Sequence, residues 1–333
     1  MASKDEVQYL EPGWKEQKEK LPYPEQDCTG KTIVVVGANV GLGKDAVQHF
    51  ARLGASKVIM AVRSRSRGEQ ARRDIEAALN LNGGILVVWE LDLACHSSVQ
   101  AFAERLSTQS RVDAVVMNAS IAVMKFELVE DNESTITINV INTYLLVLLL
   151  LPILKQYASK WDIRPTITVV GSGIHGMVKF PEWDEPNVLA YMNDPKTAKM
   201  DDRYAASKLL QIFAMHEVAA MMSEKDYPIT LNSVNPGLCK TSLARNATGI
   251  FHIQMVILKF LYAYTSEEGS RTLVHAATCG PESHGRFFTN CDPQRVYTSS
   301  FVRSEDGQKA QKKIWKEILE KLEKIQPGIS ANL

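Results

Sequence analysis

Cysteine is scarce and scattered. The 333 residues hold five (Cys28, Cys95, Cys239, Cys279, Cys291), with no Cys-x-x-Cys and no Cys/His cluster at ligand spacing. An odd, dispersed set argues against a disulfide framework and against zinc, so no metal is expected and a reducing, cytoplasmic setting is. Excess charge is missing as well: 38 basic residues balance 38 acidic ones. No basic stripe interleaved with aromatics runs along the chain, which argues against a nucleic-acid partner. The first thirty residues are charged, contain Pro12, Pro22 and Pro24, and lack the apolar core of a signal peptide. A full membrane-length apolar run is also lacking. Residues 134–154 carry no charge, but Thr135, Thr137, Asn139, Asn142 and Thr143 fill the first half, and a span needs about 20 predominantly apolar residues. The stretch reads as a helix buried in a protein core or a subunit interface.

What is present alternates. Residues 32–36 (Thr-Ile-Val-Val-Val) are short, apolar and β-branched, which suits a strand buried on both faces. They run into Gly37-Ala38-Asn39-Val40-Gly41-Leu42-Gly43, and residues 44–53 then have helical character. A glycine-rich turn between strand and helix lets a pyrophosphate approach backbone N–H groups at the helix N-terminus. A second strand, residues 57–62, ends at Arg63, twenty residues after Gly43. An acid there would bind a ribose 2′-hydroxyl, whereas an arginine accommodates a 2′-phosphate. Arg63, followed by Arg65 and Arg67 with no acid before Glu69, favours NADPH over NADH; a merely solvated basic loop is the bland alternative. A helix over 69–81 and a strand over 85–91 lead to Asp92-Leu93, where a side chain can reach an adenine ring. A helix over 96–107 and a strand over 112–117 lead to Asn118-Ala119-Ser120. The pattern predicts an α/β fold of Rossmann type, a doubly wound parallel sheet in three layers, with ligands at the strand C-terminal ends.

Downstream, a long helix over 132–157 carries Asn139, which by position alone reads as structural. A strand over 166–170 ends in Gly171-Ser172-Gly173. The long segment 175–203, with Pro181, Trp183, Pro186 and Pro195, is assigned to the substrate side, since loops of that size in compact domains are usually functional. Tyr204 and Lys208 then stand four apart on a helix, on one face. A free phenol has a pKa of roughly 10, and a neighbouring ammonium favours its ionised form. By itself that spacing is common on exposed helices. A strand over 229–234 ends in Asn235-Pro236-Gly237, with Thr241 just beyond. Residues 246–264 are strongly apolar and read as a lid over an apolar ligand in preference to a helix resting on a membrane. A helix over 265–278 has Ser266 as its expected N-cap, and Ala310, Ile314, Ile318, Leu322 and Ile325 form the apolar stripe of a docked terminal helix. The expected organisation is an irregular arm over 1–30, a Rossmann domain over 31–300 with an insertion at 175–203 and a lid at 240–264, and a C-terminal helix and tail over 301–333.

Together these motifs, in this order, resemble the short-chain dehydrogenase/reductase family, and within it the retinol-dehydrogenase-like branch seen among fungal biosynthetic ketoreductases. The resemblance spans roughly residues 28–325. It implies a catalytic set of Asn139, Ser172, Tyr204 and Lys208. Tyr204 would act as general acid in carbonyl reduction, Lys208 would lower the tyrosine pKa and hold the nicotinamide ribose, Ser172 would bond the substrate oxygen, and Asn139 would hold a relay water. It further implies cofactor contacts from Gly37, Asn39, Gly41, Leu42, Gly43, Arg63, Asp92, Leu93, Asn118, Ala119, Tyr204, Lys208, Pro236, Gly237 and Thr241. The expected activity is NADPH-dependent reduction of a ketone or aldehyde of a bulky apolar molecule. A non-redox scaffold or cyclisation catalyst on the same fold, and a membrane-associated lipid-alcohol dehydrogenase, are the alternatives. A homodimer through the helices at 132–157 and 204–222 is expected, unless the chain's own extensions cover those faces. The chain departs from the family pattern at Val36, at Ser120 where glycine is usual, and at Asn142 and Gly171 where glycine and serine are common.

Overall fold

A computed structural model describes residues 7–12, 17, 19–240 and 262–333. Thr241 and most of the apolar segment expected to form a lid lie outside the described residues. The sheet is built on β2 (Thr32–Val36), whose side chains alternate between two cores. Ile33 and Val35 pack on one side with Ala46, Val47 and Phe50, and Val34 and Val36 on the other with Leu146 and Leu150. All five residues of the strand are buried, and each fully buried Val or Ile contributes about 1.5–3 kcal/mol.

The elements follow in the expected alternation: α1 (Gly41–Arg52), β3 (Lys57–Val62), α2 (Arg65–Leu79), β4 (Leu86–Glu90), α3 (His96–Ser107) and β5 (Ala114–Met117). The sheet's second wing is β8 (Thr166–Val170) and β9 (Thr230–Asn235), extended by β10 (Phe287–Thr289) and β11 (Asp292–Val296). With β1 (Gln8–Tyr9) at one edge, strands run in the order β1-β11-β10-β9-β8-β5-β2-β3-β4, parallel except between β10 and β11. The chain winds outward from β2 through β3 and β4, then restarts at β5 and winds the other way. The switch point between β2 and β5 is where open α/β sheets take ligands.

Between the wings lie a small hairpin, β6 (Leu128–Val129) with β7 (Asn132–Glu133), and the turn α4 (Ser134–Ile136). Asn142–Trp161 then forms α5, after a π-helical turn at Thr137–Ile141. The single long helix expected over 132–157 is therefore interrupted, because Thr143 Oγ1 and the wider turn break the regular ladder; Thr143 donates to the Ile138 carbonyl at 2.9 Å. Ser134–Trp161 is long and apolar enough to cross a bilayer, yet most of its apolar window is buried in the core, as the sequence reading preferred.

The remaining helices are α6 (Val188–Met192), α7 (Arg203–Glu224), α8 (Ser266–Thr278), α9 (Ser300–Arg303) and α10 (Glu305–Ile325). α1 and α8 pack together on one face of the sheet, while α3, α5 and α7 line the other. α10 lies along α7 through the predicted stripe: Ala310, Ile314, Ile318 and Leu322 are buried, and Ile325 packs at its edge. Asn332 bonds the Leu148 carbonyl of α5 at 3.1 Å. The chain's own C-terminal segment thus packs against both of the helices nominated for pairing.

Three expectations need correction. The arm is not wholly irregular, because β1 (Gln8–Tyr9) pairs in parallel with Arg295 and Val296 of β11. The segment 175–203 is short-helical, not a bare loop, and Glu317 of α10 accepts from the backbone N–H groups of Val188 and Leu189 at 3.0 and 2.8 Å. The N-cap of α8 is Thr265, not Ser266. Thr265 Oγ1 accepts from the Glu268 N–H while Glu268 accepts from the Thr265 N–H, a reciprocal capping box.

Candidate active site

The first lip of the crevice is set by backbone. Gly37 has φ +79°, and a Cβ added there would lie 3.0 Å from Ala119 Cα. A Cβ on Gly43 would stand 2.3 Å from the Gly37 carbonyl oxygen and 2.6 Å from Asn118 Nδ2. Asn118 Nδ2 donates to the carbonyls of Val36 (3.2 Å) and Gly37 (3.1 Å), so β5 holds the turn from across the switch point. α1 begins at Gly41, inside the glycine turn instead of after it, and no side chain caps it. Its first-turn N–H groups, with no acid in that turn, face the place where an anion would sit. Asn39 and Leu42 stand half-buried in the same turn. These are the features of a cradle that fits a dinucleotide pyrophosphate.

Arg63 is exposed at the end of β3, and Arg63, Arg65 and Arg67 make no ion pair among the described residues. Asp92 follows β4. Its backbone N–H donates to Ser98 Oγ (3.0 Å) and its Oδ1 accepts from the Ala94 N–H (2.9 Å). Leu93 is buried, and its carbonyl accepts from Asn142 Nδ2 at 2.8 Å. Asn142, a departure from the family pattern, therefore clips this loop to α5. Gly171 is a second departure with a physical reason: a Cβ there would meet the Phe287 ring at 2.6 Å.

The second lip is built from side chains. β8 delivers Ser172, whose carbonyl accepts from His175 Nδ1 at 2.8 Å. His175 Nε2 accepts from the Ser299 N–H at 3.2 Å, which fixes the tautomer, and burial lowers its pKa to about 4, so the ring is a neutral brace. Asn235 Oδ1 accepts from both the Gly173 N–H (3.0 Å) and the Gly237 N–H (3.2 Å), tying the Ser172 turn to the Pro236-Gly237 turn. Pro236 is buried, and Gly237 has φ +76°. Gln17 of the N-terminal arm bonds both ways with Leu238 beside that turn, Nε2 donating at 2.9 Å and Oε1 accepting at 2.6 Å.

α7 carries Tyr204 and Lys208 on one face. The Tyr204 hydroxyl stands beside Ser172, and Lys208 Nζ lies 5.7 Å from the centre of the tyrosine ring. Burial raises the Tyr204 pKa, and the Ser172 side chain opposes this only in part. The expectation that Lys208 lowers it is not met among the protein's own groups, because the lysine is itself buried and loses charge: its pKa falls to about 7 by desolvation. Among the described residues no carboxylate offsets that burial. Lys208 Nζ donates to three neutral acceptors, Ser120 Oγ (2.8 Å), the Val170 carbonyl (2.8 Å) and Gln211 Oε1 (2.9 Å).

Asn139 sits in the π-helical turn, a feature that often marks functional sites. Its side chain is fully engaged. Oδ1 accepts from the Ile121 N–H (2.9 Å), and Nδ2 donates to the Ile121 carbonyl (2.9 Å) and Ser207 Oγ (3.0 Å). Its carbonyl accepts from Gln211 Nε2 at 2.5 Å. An amide thus bridges Asn139 to Lys208 where the resemblance implies a water. The structure brings Ser172, Tyr204, Lys208 and Asn139 into one network at the sheet edge. Arg63 and Asp92 stand at the ends of the outer strands, and Thr241 lies outside the described residues. Sequence reasoning missed Gln211, His175 and Gln17. Gln211 was detectable in principle, since it stands three residues after Lys208 on the same helix face.

A sheet with this order and a glycine cradle at its switch point defines a Rossmann-type nucleotide-binding protein. The chain belongs to the short-chain dehydrogenase/reductase family. Residues 31–183 match the family model described as short chain dehydrogenase. Short chain dehydrogenase/reductase dmxR8 of Cryptosporiopsis sp. is 43% identical over 318 residues, covering 94% of this chain and 96% of that protein. Short-chain dehydrogenase anuD of Penicillium roqueforti is 39% identical, covering 92% and 81%. The expected likeness to fungal members therefore holds. Among solved structures, the NADPH-bound carbonyl reductase from chicken fatty liver superposes with a TM-score of 0.58 at 21% identity, over 81% of this chain and 99% of that one, a likeness of fold. Membership makes the chain an oxidoreductase that uses a nicotinamide cofactor on a carbonyl or alcohol group of a small molecule.

Proposed function

We propose that the protein is an NADPH-dependent reductase of a ketone or aldehyde in a bulky, largely apolar small molecule of fungal secondary metabolism. The observation that carries this reading is the network of Ser172, Tyr204, Lys208 and Asn139 beside the glycine cradle. Bound NADPH supplies the hydride. Ser172 Oγ bonds the substrate oxygen as charge gathers on it, and Tyr204 Oη donates the proton that completes the alcohol; in the reverse direction Tyr204 is the base. The raised Tyr204 pKa supports the acid role, because the phenol keeps its proton through neutral pH. Arg63 at the end of β3, exposed and without an ion pair among the described residues, supports a 2′-phosphate over a free ribose hydroxyl. Gly37, Asn39, Gly41, Leu42, Gly43, Asp92, Leu93, Asn118, Ala119, Pro236, Gly237 and Thr241 complete the proposed cofactor contacts. Ile121 and Ile174, half-buried and bonded through their backbones to Asn139 and Ser172, support an apolar substrate.

The test is purified protein with NADPH or NADH and a panel of apolar carbonyl compounds, followed by loss of reduced cofactor. Turnover that prefers NADPH supports the reading. Product formed at unchanged oxidation level, without cofactor turnover, would favour the non-redox alternative.

A further inference from the structure

We infer that Ser120 is a positioning residue whose hydroxyl competes with the cofactor for Lys208. An ammonium group has three N–H bonds, and in Lys208 all three are taken by the protein. Two of the acceptors are fixed. The Val170 carbonyl belongs to β8. Gln211 Oε1 cannot turn away, because its Nε2 is bonded to the Asn139 carbonyl and a flipped amide would set two carbonyl oxygens against each other. Ser120 alone can yield. It follows the β5 end directly after Asn118-Ala119, is half-exposed at the crevice, and holds Lys208 through a single rotatable hydroxyl. A hydroxyl is also the one partner of the three that can reverse and donate, so it serves Lys208 in either protonation state.

This inference rests on the proposed reading in one respect, that a nicotinamide ribose hydroxyl reaches Lys208. On binding, the Lys208–Ser120 bond breaks and a Lys208–ribose bond of the same kind replaces it, with no net change in hydrogen-bond number. A chain with no hydroxyl at residue 120 has nothing to displace, and its buried third N–H lacks a protein acceptor until the cofactor arrives. Relief of such an unmet charged donor on binding corresponds to roughly tenfold in affinity.

The experiment compares wild type with Ser120→Ala and Ser120→Gly. It uses direct titration of NADPH and NADP⁺ by quenching of tryptophan fluorescence without substrate, together with KM and kcat for NADPH and thermal melting. The expected result is about tenfold tighter NADPH binding and a lower KM in both variants, with a melting temperature below wild type without cofactor that is recovered at saturating NADPH. A merely structural role for Ser120 would lower the melting temperature equally with and without NADPH and leave KM alone. Unchanged or weaker NADPH binding by the variants, beside normal wild-type turnover, overturns the competition and leaves the reductase reading intact. Failure of every protein to bind either cofactor overturns both.

Discussion

The two lips of the crevice are made of different material. On the β2 side, the shape is dictated by missing atoms: Gly37 and Gly43 leave room that backbone carbonyls and Asn118 fill. On the β8–α7 side, the shape is dictated by groups, most of them side chains, from three parts of the chain meeting at Lys208 and Ser172. The first lip is local in sequence and tolerates little, since any Cβ collides with main chain. The second is assembled over long distances, and its chemistry depends on burial as much as on which residues are present. A lysine surrounded by neutral dipoles is a different acid from a lysine at a surface.

The sharpest way to break the comparison is Tyr204→Phe. Loss of the proton donor is expected to lower turnover by about 10²–10⁴-fold, measured as NADPH oxidation, while cofactor affinity stays near wild type. Undiminished turnover would remove the phenol from the mechanism. Gly43→Ala tests the other lip. Its Cβ would stand 2.3 Å from the Gly37 carbonyl, so we expect a loss of about 1–3 kcal/mol in stability and weakened NADPH binding, read by thermal melts and titration. Arg63→Glu should shift the preference from NADPH toward NADH by roughly 10–100-fold in kcat/KM; an unchanged ratio would show that the loop is only solvated.

Smaller effects probe the electrostatics. Lys208 has a folded-state pKa of about 7, below its ordinary 10.5. Between those values the unfolded chain holds a proton that the folded chain has released, so this residue makes stability rise with pH across that window, and its cost is complete below about pH 7, where both states are protonated. Lys208→Met should flatten that slope, measured by denaturant unfolding at a series of pH values; an unaltered slope would mean the ammonium stays charged. The raised Tyr204 pKa acts in the opposite sense, removing stability only at more alkaline pH. Smallest of all, Thr265→Ala should cost about 1 kcal/mol by opening the capping box of α8, with cofactor affinity untouched.

The first lip was readable from residues 32–63 because glycine spacing, strand period and helix start are all local signals. Only the starting point of α1 was misplaced, since the glycine turn itself supplies the first helical residues. The second lip was readable as a set of residue types but not as a network. Ser120 and the Val170 carbonyl reach Lys208 from distant strand ends that its sequence neighbourhood does not announce, and Gln211, although at the right spacing, is singled out only once Lys208 is known to be buried. The tyrosine pKa was expected to fall on the strength of a neighbouring cation, and spacing says nothing about the desolvation that outweighs it. The arm reads as irregular in sequence, whereas a two-residue strand needs only an unpaired edge, and that edge lies far along the chain at β11.

That distant edge has a consequence for biosynthesis. Gln8 and Tyr9 find their partners only at Arg295 and Val296. At a synthesis rate of about 5–20 residues per second, the arm waits on the order of tens of seconds before its docking strand is even translated. Gln8 and Tyr9 are thus among the last residues to join the sheet although they are made long before β11, so a nascent chain halted anywhere before that point must carry this strand without its partner.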